Sequence, residues 1–90
     1  MRLKNELVTH QIDDEYITVF TSDSREAFHG LLRMNATGKF ILDCLDTETD
    51  ITEDEILREM QNVFSGDPGM MREDIELVLT QLKHADAIIE

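Results

Sequence analysis

Apolar and polar residues alternate along the first third of the chain. The runs ELVTHQI (6–12) and EYITVFT (15–21) are rich in β-branched and aromatic residues and predict two strands. Asp13-Asp14 between them is a pair that tolerates a tight turn. In the second run Tyr16, Thr18 and Phe20 share one face, with Ile17 and Val19 on the other. The polar stretch SDSRE (22–26) predicts the next turn, and AFHGLLR (27–33) a third strand. Gly30 inside that strand weakens it unless a bulge sits there or another backbone comes close.

From Asn35 onward the period changes to that of helices. Asn35 is a good N-cap, and Phe40, Ile41, Cys44 and Leu45 follow the rhythm of one buried face. Thr52-Glu53-Asp54-Glu55 fits a capping box, with Ile51 and Ile56 as its hydrophobic staple. The stripe of this second helix is Ile56, Leu57, Met60, Val63 and Phe64, and Gly66 is expected to stop it. Asp67-Pro68 opens a third helix as a cap followed by proline at the first helical position, with Met71, Ile75, Val78 and Leu82 along one face. The tail AIIE (87–90) reads as a final strand or an extended segment packed on the sheet. The order βββααα with short connections predicts a single α+β domain over residues 1–90, three helices covering one face of a small antiparallel sheet.

Charge narrows the partners. Residues 1–45 carry 7 acidic and 5 basic side chains, whereas residues 46–90 carry 13 and 3. The second half would repel a phosphate backbone, which argues against nucleic acid and for a basic or compact neutral partner. The start MRLKNELV lacks the apolar core of a secretory signal, and no run approaches the roughly 20 apolar residues of a membrane span. The expected location is the cytoplasm, where the lone Cys44 needs no partner.

Catalytic and metal chemistry find no motif. No glycine-rich phosphate loop follows a strand, and His10, His29 and His84 are scattered without ligand spacing. Cys44, on the apolar face of the first helix, reads as a buried, inert thiol. Asp46, Glu48 and Asp50 alternate as in a calcium loop, but the sixth and twelfth positions hold Ile51 and Leu57 where glycine and a bidentate glutamate belong. These acids read instead as a solvated loop ahead of a helix N-terminus. A helix-turn-helix reading would place Arg72, Gln81 and Lys83 toward base edges, against Glu73, Asp74, Glu76 and Asp86 on the same helix.

The segment MNATGKFILDCLDTETDITEDEILREM (34–60) carries a hydrophobic-Asn pair, then Thr-Gly, an aliphatic helix ending in Leu-Asp, an acidic turn and Glu-x-Ile. A later helix contains Glu-Asp-Ile. This pattern resembles the PqqD family of pyrroloquinoline quinone biosynthesis, whose fold recurs as the RiPP recognition element. The likeness covers most of the chain. It departs at Asp46-Thr47-Glu48-Thr49-Asp50, at Asp86 where the family tends to a glycine, and at Phe28-His29-Gly30-Leu31 in place of Tyr-Pro-Glu-Gly. The last departure bears on the quinone pathway rather than on peptide binding.

The resemblance implies a winged-helix-turn-helix-like fold. It implies that the leader of a ribosomally made precursor adds as a strand to the edge of the third strand, in a cleft closed by the third helix. The expected edge is Ala27, Phe28, His29, Gly30, Leu31, Leu32 and Arg33, since an edge strand offers unpaired backbone groups. Arg72, Glu76, Leu79 and Lys83 recur on one face of the third helix and are expected as the second wall. There Leu79 would line an apolar pocket, and Arg72 or Lys83 would pair a leader carboxylate. The direct passage from strand to helix at Asn35 would bury Met34 and fix the edge, with Gly38 letting the helix pack close. The alternative for Gly38 is a merely weak first turn.

The expected function is non-catalytic, with no cofactor: presenting the precursor to a modifying enzyme such as a radical SAM protein, held by the acidic surface of the first two helices. The alternative is a winged-helix protein–protein interaction or regulatory module that binds no leader.

Overall fold

The computed structural model describes residues 1–20 and 30–90. The turn expected at 22–26 and the edge positions Ala27, Phe28 and His29 lie outside the described residues, and of Gly30 only the backbone is described. The elements are β1 (Arg2–Leu3), β2 (Val8–Ile12), β3 (Glu15–Phe20), β4 (Gly30–Met34), α1 (Ala36–Asp43), α2 (Glu53–Val63), α3 (Pro68–His84) and β5 (Ile88–Ile89).

β2, β3 and β4 form an antiparallel sheet in that order. Ile12 faces Glu15 across the Asp13-Asp14 turn, where Asp13 takes a φ of 54°, a conformation aspartate tolerates better than most residues. One face of the sheet is buried through Thr18, Phe20, Leu32 and Met34. Thr18 is wholly inside, and its hydroxyl is satisfied by that of Thr9 across the strand pair at 2.6 Å. The opposite face leaves Val8, Ile12 and Leu31 exposed. The register between β3 and β4 runs unbroken from Phe20–Gly30 to Tyr16–Met34, so no bulge accounts for Gly30 there.

The expectation that all three helices cover the sheet is corrected. α1 packs on β3 and β4, whereas α2 and α3 pack mainly on α1 and on each other. Lys39 of α1 reaches over the Tyr16 ring at 5.9 Å, and Phe40 meets Phe64 edge-on at 5.3 Å. Ile41, Ile56, Met60, Ile75 and Leu82, all essentially without exposure, form the centre.

The caps fall where the sequence places them. Asn35 accepts from the Gly38 N–H at 3.0 Å, and Asp67 from the Met70 N–H at 3.3 Å. Thr52 and Glu55 form the reciprocal capping box. Thr52→Ala should therefore cost about 1 kcal/mol, read as a lower urea midpoint at unchanged slope. α2 ends at Val63, three residues before Gly66: Phe64 is extended, its N–H held by the Met60 carbonyl at 2.8 Å. Val63, in that last turn, is exposed rather than part of the stripe.

α3 closes with a Schellman motif. The Ala87 N–H donates to the Leu82 carbonyl at 2.9 Å and the Asp86 N–H to the Lys83 carbonyl at 3.0 Å, with Asp86 at φ 56°. Aspartate thus fills the left-handed position where a glycine is usual. The tail does not join the larger sheet. β5 pairs with β1, and Leu3 donates to the Asp46 carbonyl at 2.7 Å. The acidic loop holds this ribbon: Asp50 pairs with Arg2 at 3.6 Å. The Asp46 carboxylate accepts the Thr49 and Glu48 N–H groups at 2.6 and 2.9 Å, which keeps it more acidic than an ordinary carboxyl.

Candidate functional site

β4 has β3 on one side, and no described strand pairs with the other. In an antiparallel ladder alternate residues turn their N–H and C=O groups outward, so this border offers bonds to an extended chain. It is held from behind. Asn35 is the single residue between β4 and α1, and Met34 is buried against Gly38. A Cβ built at Gly38 would stand 2.7 Å from the Met34 Cβ, so the glycine is there for close approach.

α3 runs alongside the open border but does not close onto it. Between them lies a cavity of about 480 Å³, lined by Phe20, Leu31 and Leu32 on the sheet side and by Thr80, Gln81, His84 and Ala85 on the other. A second cavity continues it past Arg33 and Met34, with Asp74, Leu77 and Gln81 as its helical wall. Arg33 itself is bound to Glu15 at 2.7 Å on the neighbouring strand.

The face of α3 that looks onto this groove is not the one expected. Leu79 is only 4 % exposed and belongs to the core beside Ile75, Val78 and Leu82, which corrects its assignment to an open pocket. Arg72 turns toward α2, bonded to Asp54 at 2.7 Å and 3.6 Å from Glu53. Lys83 meets Glu90 at 2.8 Å, and each holds the other charged: the ammonium is raised and the carboxyl lowered from ordinary values. Glu76 is exposed. These four line neither groove cavity, whereas Leu31, Leu32 and Arg33 do.

Leu77, Gln81 and His84, which the sequence reading left out of the site, stand in place of those four. The signal was present: Leu77 is apolar yet off the main stripe, and 77, 81 and 84 recur at helical spacing.

Residues 21–88 match the family described as coenzyme PQQ synthesis protein D, PqqD. The chain belongs to the PqqD family. No curated protein matches it. Among solved structures, TbiB1 in complex with the TbiA(beta) leader peptide superposes on this PqqD-family chain with a TM-score of 0.66 and 20% identity. The superposition covers 96% of this chain and 92% of that one, and shows a shared fold. In the PqqD-family domain described here, no helix is long and apolar enough to cross a membrane, as judged over the described residues.

Cys44 is half-buried rather than buried as expected, and lies apart from the groove, against Phe40, Asp43, Ile51 and Glu59. Burial, then the Glu59 and Asp43 charges, raise its pKa. Its thiolate fraction near neutral pH is correspondingly low, so the native protein should react with Ellman's reagent more slowly than free cysteine does. Unfolding in urea should remove the difference; equal rates in the folded protein would contradict the burial.

Proposed function

We propose that this chain is a non-catalytic leader-binding domain that takes up a ribosomally made precursor peptide by strand addition and presents it to a modifying enzyme. The observation that carries the reading is the open border of β4 fronting a groove walled by α3. Membership of the PqqD family and the likeness to TbiB1, solved with a leader peptide, support it. Main-chain bonds at the border supply affinity that tolerates sequence, and the groove cavities select side chains. Tethering the precursor raises its effective concentration at the enzyme, for which a radical SAM protein is the class proposed. The acidic surface of α2 and of the loop before it suits a basic patch on that partner, whereas the charges of α1, Lys39 and Asp43, pair with each other.

The test is a titration with a synthetic precursor leader peptide, followed by backbone amide shifts. Shifts at 30–34 and along 77–84 are expected, and shifts confined elsewhere would remove the site. A second reading, a module that binds another protein rather than a leader, draws on the outer sheet face, where Val8, Ile12 and Leu31 are exposed. It predicts a partner footprint that crosses the outer face from β2 to Leu31 and leaves the α3 amides of 77–84 unshifted.

A further inference from the structure

The groove does not end at β4. A third cavity, of about 220 Å³, opens at the α2–α3 corner among Phe64, Met70 and Met71, and it shares Thr37 and Asp74 with the second cavity. The second in turn shares Gln81 with the first. One trough therefore runs the length of α3, whose near wall is Met70, Asp74, Leu77, Gln81 and His84, spaced 4, 3, 4 and 3 residues apart as one helical face requires. Two of those residues, Met70 and Leu77, are more than 60% exposed, apolar surface that the fold itself does not use.

The charge inside the trough is uneven. Arg33 is paired with Glu15, and Asp67 accepts the Met70 N–H as a helix cap. The Asp74 carboxylate, about a third of the way along from Met70, makes no hydrogen bond or ion pair with any described residue. In a chain of net charge −12 this exposed carboxylate is left available to pair with a cation that a ligand brings.

We propose that the trough selects a peptide with two apolar anchors and a lysine or arginine between them, the distal anchor seated at Phe64, Met70 and Met71 and the basic side chain on Asp74. This rests on the strand-addition reading and says which peptides it admits. The spacing follows from geometry. Met70 to His84 spans about 21 Å at 1.5 Å per helical residue, a length that roughly six or seven extended residues cover. Asp74 is about 6 Å from the Met70 end. The basic residue then stands about two positions from the distal anchor and four or five from the anchor in the β4 cavity. This reverses the sign expected from Arg72 and Lys83, which are engaged with Asp54 and Glu90.

The experiment selects a displayed library of random 14-residue peptides against the full chain and against D74K, with amide shifts recorded for the enriched peptides. The wild type should enrich an apolar residue, a lysine or arginine, and a second apolar residue at that spacing. D74K should enrich aspartate or glutamate at the middle position. A wild-type consensus peptide should bind D74K at least ten-fold more weakly and recover when its basic residue is exchanged for glutamate. Asp74 is exposed, so the variant folds, and M70E provides a second probe that should abolish selection at the distal anchor alone. If enriched peptides shift residues 30–34 but are the same for both proteins, the trough inference is wrong and strand addition stands. If no peptide moves 30–34, strand addition is wrong and the inference goes with it.

Discussion

Leu79→Ala should unfold this domain more readily by about 2–5 kcal/mol, the range for truncating a buried leucine and leaving a cavity. Leu79 is 4% exposed and sits among Ile75, Val78 and Leu82, so the lost contacts are core contacts. Leu77→Ala, two residues earlier and 61% exposed, should change stability by less than about 0.5 kcal/mol. Its effect should appear in peptide affinity instead. Urea unfolding of the pair separates the two roles directly. A stable L79A with selectively weakened peptide binding would return Leu79 to the groove and the Arg72 face with it.

Gly38→Ala should also destabilise, against the ordinary trend. In an exposed helix interior the change gains about 1 kcal/mol, because alanine is the better helix former. Here the new methyl would meet the Met34 Cβ at 2.7 Å, an atom fixed to the β4 backbone rather than the far end of a flexible side chain. Overpacking of this kind costs about 1–3 kcal/mol, so the net change runs from near zero to a loss of about 2 kcal/mol. Gly38→Val should lose further. Because relief requires α1 and β4 to part, amide shifts of residues 30–34 should accompany the loss. A raised urea midpoint for G38A would show that the joint gives way freely, and that glycine marked only a weak first turn.

The parts of the fold legible in the sequence are those written locally. Asn35, the Thr52–Glu55 box and Asp67-Pro68 each start a helix where the spacing predicts, because a cap is a bond between near neighbours. The β2–β3 hairpin follows from alternation around Asp13-Asp14 for the same reason. What was not legible depends on residues far apart in the chain. Nothing local says that Ile88 and Ile89 will pair with Arg2 and Leu3 instead of the larger sheet. The choice between Leu77 and Leu79 was open to the spacing, since Leu79 falls four residues after Ile75 on the buried stripe and Leu77 falls off it. The border of β4 was legible as alternation around a glycine. Its opposite wall was not, because the packing of α2 against α3, which turns Arg72 toward Asp54, decides which flank is left bare.

The joint at Asn35 has a thermodynamic corollary. Strand and helix are locked together when the domain folds, so the receiving border is already in the shape an extended guest needs. The ordering entropy of docking falls on the guest. Stiffening a bound peptide, by proline outside the ladder or by cyclisation, should tighten its complex, whereas stiffening the host should change little.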